Sequence, residues 1–162
     1  MTRFLPRFLK DRSGAALVEF AIALPLLLIL FAVTVDGARM MWSYQKTAAG
    51  VRDATRFLGR AAPARICDAG GSVAGYQTQL EQIVRDAATT GQSIAIQGSN
   101  VLSVVPSHVC IDNGYRGGVV AIATVTASVR ITLPFSTVFA LIGTAPGTFT
   151  ATVTDQTRIF GS

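Results

Sequence analysis

Hydrophobic positions along this chain change rhythm three times. Over residues 15–35 nearly every side chain is apolar. The stretch holds one charge, Glu19, and one proline, Pro25, and from Phe20 to Val35 it holds no charge at all. A helix rises 1.5 Å per residue, so about 20 such residues cover the roughly 30 Å hydrocarbon core of a bilayer. Further on, apolar or small residues recur in alternating steps of four and three, at Gly37, Met41, Tyr44, Ala48, Val51, Thr55 and Leu58. Arg39, Lys46, Arg52, Asp53 and Arg56 fall between them, which is the pattern of an amphipathic helix. No glycine or proline interrupts residues 38–49. The two patterns therefore predict one continuous helix from about Ala15 to Leu58, roughly 65 Å long.

Residues 59–72, GRAAPARICDAGGS, break that helix with Pro63 and three glycines. Residues 75–89 predict a second, short helix with Leu80, Ile83, Val84 and Ala87 on one side. The period then shortens to two. Short strands are expected at 93–97 and 101–105, a stronger one at 119–130, and a terminal one at 148–160. In the strongest, Val119, Ala121, Ala123, Val125, Ala127 and Val129 share a face, and Thr124, Thr126, Ser128 and Arg130 share the other. DNGYRGG, residues 112–118, is rich in turn formers and can join two antiparallel strands. Residues 135–147 are apolar but close in glycine and proline, and read as a loop or a short helix.

The expected fold class is α+β. A long N-terminal helix, membrane-spanning in its first half and amphipathic in its second, packs on a small antiparallel sheet. A sheet of three or four strands needs cover on one face, and the amphipathic half of the helix can provide it. The chain divides into a basic leader at 1–14, a transmembrane helix at 15–35, an amphipathic continuation at 36–60 and an exported α+β domain at 61–162.

Composition supports the membrane reading. Charged residues make up 14% of the chain, against roughly 25% in an average soluble domain. The formal charge is +5, but Arg3, Arg7, Lys10 and Arg12 less Asp11 place +3 of it in the leader, leaving +2 for the rest. The basic balance is thus a topology signal, which favours a cytoplasmic N-terminus and an exported C-terminal domain. It is not a nucleic-acid signal, and aromatic residues do not interleave with basic ones as on a nucleic-acid platform. A cleavable secretory signal would have a shorter apolar core ending in small residues; the run here is long, and the sequence after it, TVDGARMMW, offers no such site.

Candidate chemistry is sparse. Cys67 and Cys110 form no CxxC motif, and with His108 they make a poor metal set, so no metal or cofactor is expected. In an exported domain the two cysteines read as a disulfide, in a reducing compartment as two independent buried thiols. His108, the single histidine, lies in an apolar context and reads as structural. No catalytic constellation stands out.

Glu19 is the exception, because an ionisable group inside a membrane span is costly and calls for a partner. It either points to water at the headgroup level or meets a cation. A cut after Gly14 would free an α-ammonium at Ala15, making Glu19 the fifth residue of the new chain. A staggered neighbouring chain could then bring its amine to this carboxylate, lowering the cost of both charges.

These residues resemble a type IV prepilin: a short basic leader ending in Gly14, then AALVE, then Phe20 and an apolar helix. The spacing is similar to that of the Flp/Tad branch, and residues 11–60 resemble TadE-like proteins, minor pilins or pseudopilins of tight-adherence pili. The resemblance implies a pilin-like fold and a non-enzymatic role in a Tad pilus assembly or secretion system. It also implies a place in the bacterial inner membrane and cleavage between Gly14 and Ala15 by a prepilin peptidase. Glu19 and Phe20 would dock the subunit against other minor pilins, the Flp-type pilin and the Tad secretion machinery. The major Flp pilins are very short and this chain is not, which points to a minor component. An alternative from another class is a membrane-tethered binding module or small exported enzyme.

Overall fold

The structure, a computed structural model, describes residues 13–68, 70–89, 98–112, 114, 118–139, 143 and 147–161. The basic leader before Ser13 and the strand expected at 93–97 lie outside the described residues.

Helix α1, Ser13–Ala61, runs unbroken for 49 residues, about 73 Å. It passes through Pro25, whose missing N–H leaves the carbonyl of Ala21 without its helical donor. A short 3₁₀ turn, Ala74–Tyr76, leads into α2, Gln77–Thr89. Strands β1, Ser99–Ile111, β2, Val120–Thr132, and β3, Thr148–Arg158, form an antiparallel meander in the order β1-β2-β3. Between β2 and β3 a single-turn helix, α3, spans Ser136–Phe139. The chain is α+β: a long N-terminal helix packed on a small three-stranded sheet.

The core lies between the upper half of α1, α2 and the inner face of the sheet. Val51, Ala54 and Leu58 of α1 meet Leu80, Val84 and Ala88 of α2, with Val104, Ala123, Val125 and Ala127 beneath them. In β2 the alternation is nearly perfect. Ala121, Ala123, Val125, Ala127, Val129 and Ile131 are buried, while Val119 lies before the strand and is exposed.

Two helix contacts are close enough to require glycine. A Cβ on Gly50 would fall 2.8 Å from the Cβ of Ala87 and 3.1 Å from the Cα of Val84, so α1 and α2 touch there nearly backbone to backbone. A Cβ on Gly59 would fall 2.7 Å from Cγ2 of Thr157, where α1 crosses β3. That crossing is fastened by the Phe160 N–H donating to the Gly59 carbonyl at 2.8 Å.

The lower part of the amphipathic stripe differs from the hydrophobic pattern. Met41 and Tyr44 are exposed, and the buried positions are Ser43, Thr47 and Gly50; the two patterns converge at Val51, Thr55 and Leu58. Close packing selects small side chains here. Each threonine hydroxyl donates to the carbonyl four residues earlier, Thr47 to Ser43 at 2.9 Å and Thr55 to Val51 at 2.6 Å, so burial leaves no hydroxyl unsatisfied.

Strand β1 is longer than the apolar run at 101–105 because it continues through Pro106. Proline removes a ladder donor, which is tolerable on an edge strand paired on one side only. A bulge at Leu102 shifts the register between Val101 and Ser103, so the inward positions Val101 and Val104 stand three residues apart. The β1–β2 hairpin turns where Asp112 Oδ1 accepts from the Gly114 N–H, with Gly114 and Gly118 at φ of 68° and 73°.

Candidate functional site

Most of the first half of α1, below Ala32, is an apolar surface that the other described residues leave uncovered. From Leu17, 72% exposed, to Val33, 50% exposed, its large side chains face outward. Each gains about 1.5–3 kcal/mol on leaving water. By length and composition this helix can cross a membrane. Met40, Met41, Trp42 and Tyr44 are exposed just beyond the apolar run, where amphipathic aromatic rings suit the level of lipid headgroups.

Gly14, Ala15, Glu19 and Phe20 all lie on the first turns of α1 and all are exposed. Ala15 and Glu19 are one turn apart, on one side of the helix. Glu19 has no ion-pair partner among the described residues. A Cβ on Gly14 would meet nothing within 4 Å. Glycine in a helix costs about 0.5–1 kcal/mol relative to alanine. Unlike Gly50 and Gly59, Gly14 recovers none of that through a close contact in this fold.

At the upper end of the span the helix is sheltered. Ala32 and Asp36 are buried, and the ring of Phe31 meets that of Phe135 edge-on, with centroids 6.1 Å apart. Below this contact lies an apolar groove of about 420 Å³, lined by Leu24, Pro25, Leu28, Ile29 and Phe135 among others. Asp36 is 4% exposed, and among the described residues neither of its carboxylate oxygens has a hydrogen-bond partner. An unpaired buried carboxylate is unusual and costly. In the sequence, the signal for Asp36 is its place as the first ionisable residue after sixteen positions without charge, 20–35.

At the far end, a disulfide joins Cys67 and Cys110, with Cα atoms 5.9 Å apart. It ties the loop that follows α1 to the last turn of sheet in β1. His108 stands half-buried on the inner side of β1, opposite Ala123. Among the described residues no group of three or more His, Cys, Asp or Glu could hold a metal ion.

What the described residues present is a set of surfaces. It combines a long uncovered apolar helix, a carboxylate near its start, and a folded domain rigidly continuous with it. No curated protein and no solved structure matches the chain significantly. The model of the family described as TadE-like protein matches residues 14–56, from Gly14 through the span to Arg56. Over that stretch of α1 the chain is similar to TadE-like proteins.

Proposed function

We propose that this chain is a non-enzymatic component of a Tad pilus assembly or secretion system, a minor pilin or pseudopilin of the bacterial inner membrane. The N-terminus is cytoplasmic, the span is the first half of α1, and the sheet domain is periplasmic. A prepilin peptidase removes residues 1–14, and Glu19 with Phe20 docks the mature helix against other minor pilins or an Flp-type pilin.

One observation carries this reading. Gly14 and Glu19 stand exposed at the start of an uncovered apolar helix that continues without a break into the packed domain. Among the described residues, neither a close contact at Gly14 nor an ion pair at Glu19 gives these side chains a role in their own fold. A glycine with open space around it and a carboxylate with no partner are both explained by other molecules, a protease for the first and a neighbouring subunit for the second. The TadE-like match begins at Gly14 and supports the same context.

Intact mass of the protein extracted from membranes of cells with an active prepilin peptidase tests the processing step. The expected species begins at Ala15, and retention of residues 1–14 contradicts the cleavage. For docking, Glu19→Gln is expected to leave cleavage largely intact and to impair incorporation into the assembly. Normal incorporation of that variant removes the role assigned to Glu19.

A further inference from the structure

The end of α1 farthest from its apolar run carries arginines that form no ion pair among the described residues, including with Asp53, the one carboxylate in the clefts they line. Arg52, Arg56 and Arg60 are exposed and recur every four residues, so they form a row with steps of about 6 Å. Where α1 crosses β3 at Gly59, Arg158 joins the row, its guanidinium 5.8 Å from the ring centre of Phe160. Two clefts meet at Arg56 and Arg60. One, of about 410 Å³, is lined by Asp53, Arg56, Phe57, Arg60 and Ala61. The other, of about 240 Å³, is lined by Arg56, Gly59, Arg60, Thr157, Arg158 and Phe160.

No carboxylate pairs with Arg56, Arg60 or Arg158 among the described residues; Arg65 pairs with Asp68, and Arg85 with Glu81, away from the clefts. The negative end of the helix dipole accounts for Arg60 in the last turn. It does not account for Arg56, a turn earlier, or for Arg158 on another element.

We propose that this double cleft docks an acidic segment of a partner protein, one that presents two carboxylates about 6 Å apart and an apolar side chain beside them. Guanidinium groups pair carboxylates in a planar, two-bonded geometry, which favours arginine over lysine at such a site. The spacing of Arg56 and Arg60 matches carboxylates four apart on a helix, or two apart on a strand. Phe57 and Phe160 supply the apolar contact, and arginine with aromatic residues is the usual composition of a protein-binding hot spot. A single-stranded nucleic acid fits less well, because it needs a longer basic track and open ring faces for stacking, whereas Arg158 already covers Phe160. Lipid headgroups are out of reach, since Arg56 stands about 30 Å along the helix from Val35. The proposal goes beyond the pilus reading and does not depend on leader cleavage.

The test uses full-length protein in detergent micelles and fluorescent helical peptides. One peptide carries two glutamates four residues apart with a leucine between them, and a second has both glutamates replaced by glutamine. Fluorescence anisotropy is expected to show at least tenfold tighter binding of the glutamate peptide, weakening as salt is added. R56Q combined with R60Q lowers its affinity at least tenfold with the circular dichroism spectrum unchanged. R130Q, on the outer face of β2, leaves it unaltered. A double R56E/R60E variant is expected to prefer the same peptide with lysines in place of glutamates, which a merely damaged fold would not do. Equal binding of the glutamate and glutamine peptides overturns the proposal. So does an equal loss in R56Q/R60Q and R130Q, or tighter binding of a thymidine 20-mer at the same ionic strength.

Discussion

Single positions on α1 differ most clearly in what surrounds a glycine. At Gly50 the added methyl of alanine would press on Ala87 and on the backbone at Val84. Overpacking outweighs the gain in helix propensity, so Gly50→Ala is expected to destabilise the domain by about 1–2 kcal/mol in urea unfolding monitored in micelles. At Gly14 there is open space, so Gly14→Ala is expected to gain up to about 0.5–1 kcal/mol of helix stability and, under the proposed processing, to block removal of the leader. Unfolding curves and intact mass, measured on the same preparations, separate the two effects. Leu58 illustrates the opposite case. It is fully buried between α2 and the sheet, and truncation to alanine is expected to cost about 2–5 kcal/mol, read as a lowered urea midpoint with little change in slope.

Among the elements, α1 does two jobs with one backbone. Its lower half is apolar on all sides and its upper half is amphipathic, and nothing between them releases the helical hydrogen bonding. The loop after α1 is held to β1 by the disulfide, whose cysteines stand 43 positions apart. The loop-entropy relation gives about 4 kcal/mol for a closure of that size. Cys67→Ser with Cys110→Ser is thus expected to lower the stability of the sheet domain by about 3–4 kcal/mol. The same loss should follow reduction of the wild-type protein, and an unchanged urea midpoint in both would show that the bond constrains nothing. Strand β1 tolerates Pro106 because it is an edge, which a reading of the strand in isolation could not foresee.

For the whole molecule, the main physical fact is an uncovered apolar rod rising from a covered domain. Trp42, the single tryptophan, stands exposed just past the rod, and so reports where the membrane boundary falls. In reconstituted bilayers its fluorescence is expected to be quenched most by lipids brominated high on the acyl chain. Maximal quenching by bromine near the bilayer centre would move the span upward and contradict the boundary near Val35.

Periodicity by itself determined the α+β order of elements, the continuity of α1, and which face of β2 points inward. These follow from local spacing, 3.6 residues per helical turn and two per strand repeat, which any one segment displays. Gly14 and Glu19 are candidates on the sequence alone, because a glycine and a carboxylate are conspicuous at the start of an apolar helix. Tertiary structure alone decided that Ser43, Thr47 and Gly50 are buried in place of Met41 and Tyr44, since close approach of helices rewards small volume over hydrophobicity. It alone sheltered Asp36 and gathered Arg56, Arg60 and Arg158 into one cleft. Those arginines come from elements about a hundred residues apart in the chain, and only the crossing of α1 over β3 makes them neighbours.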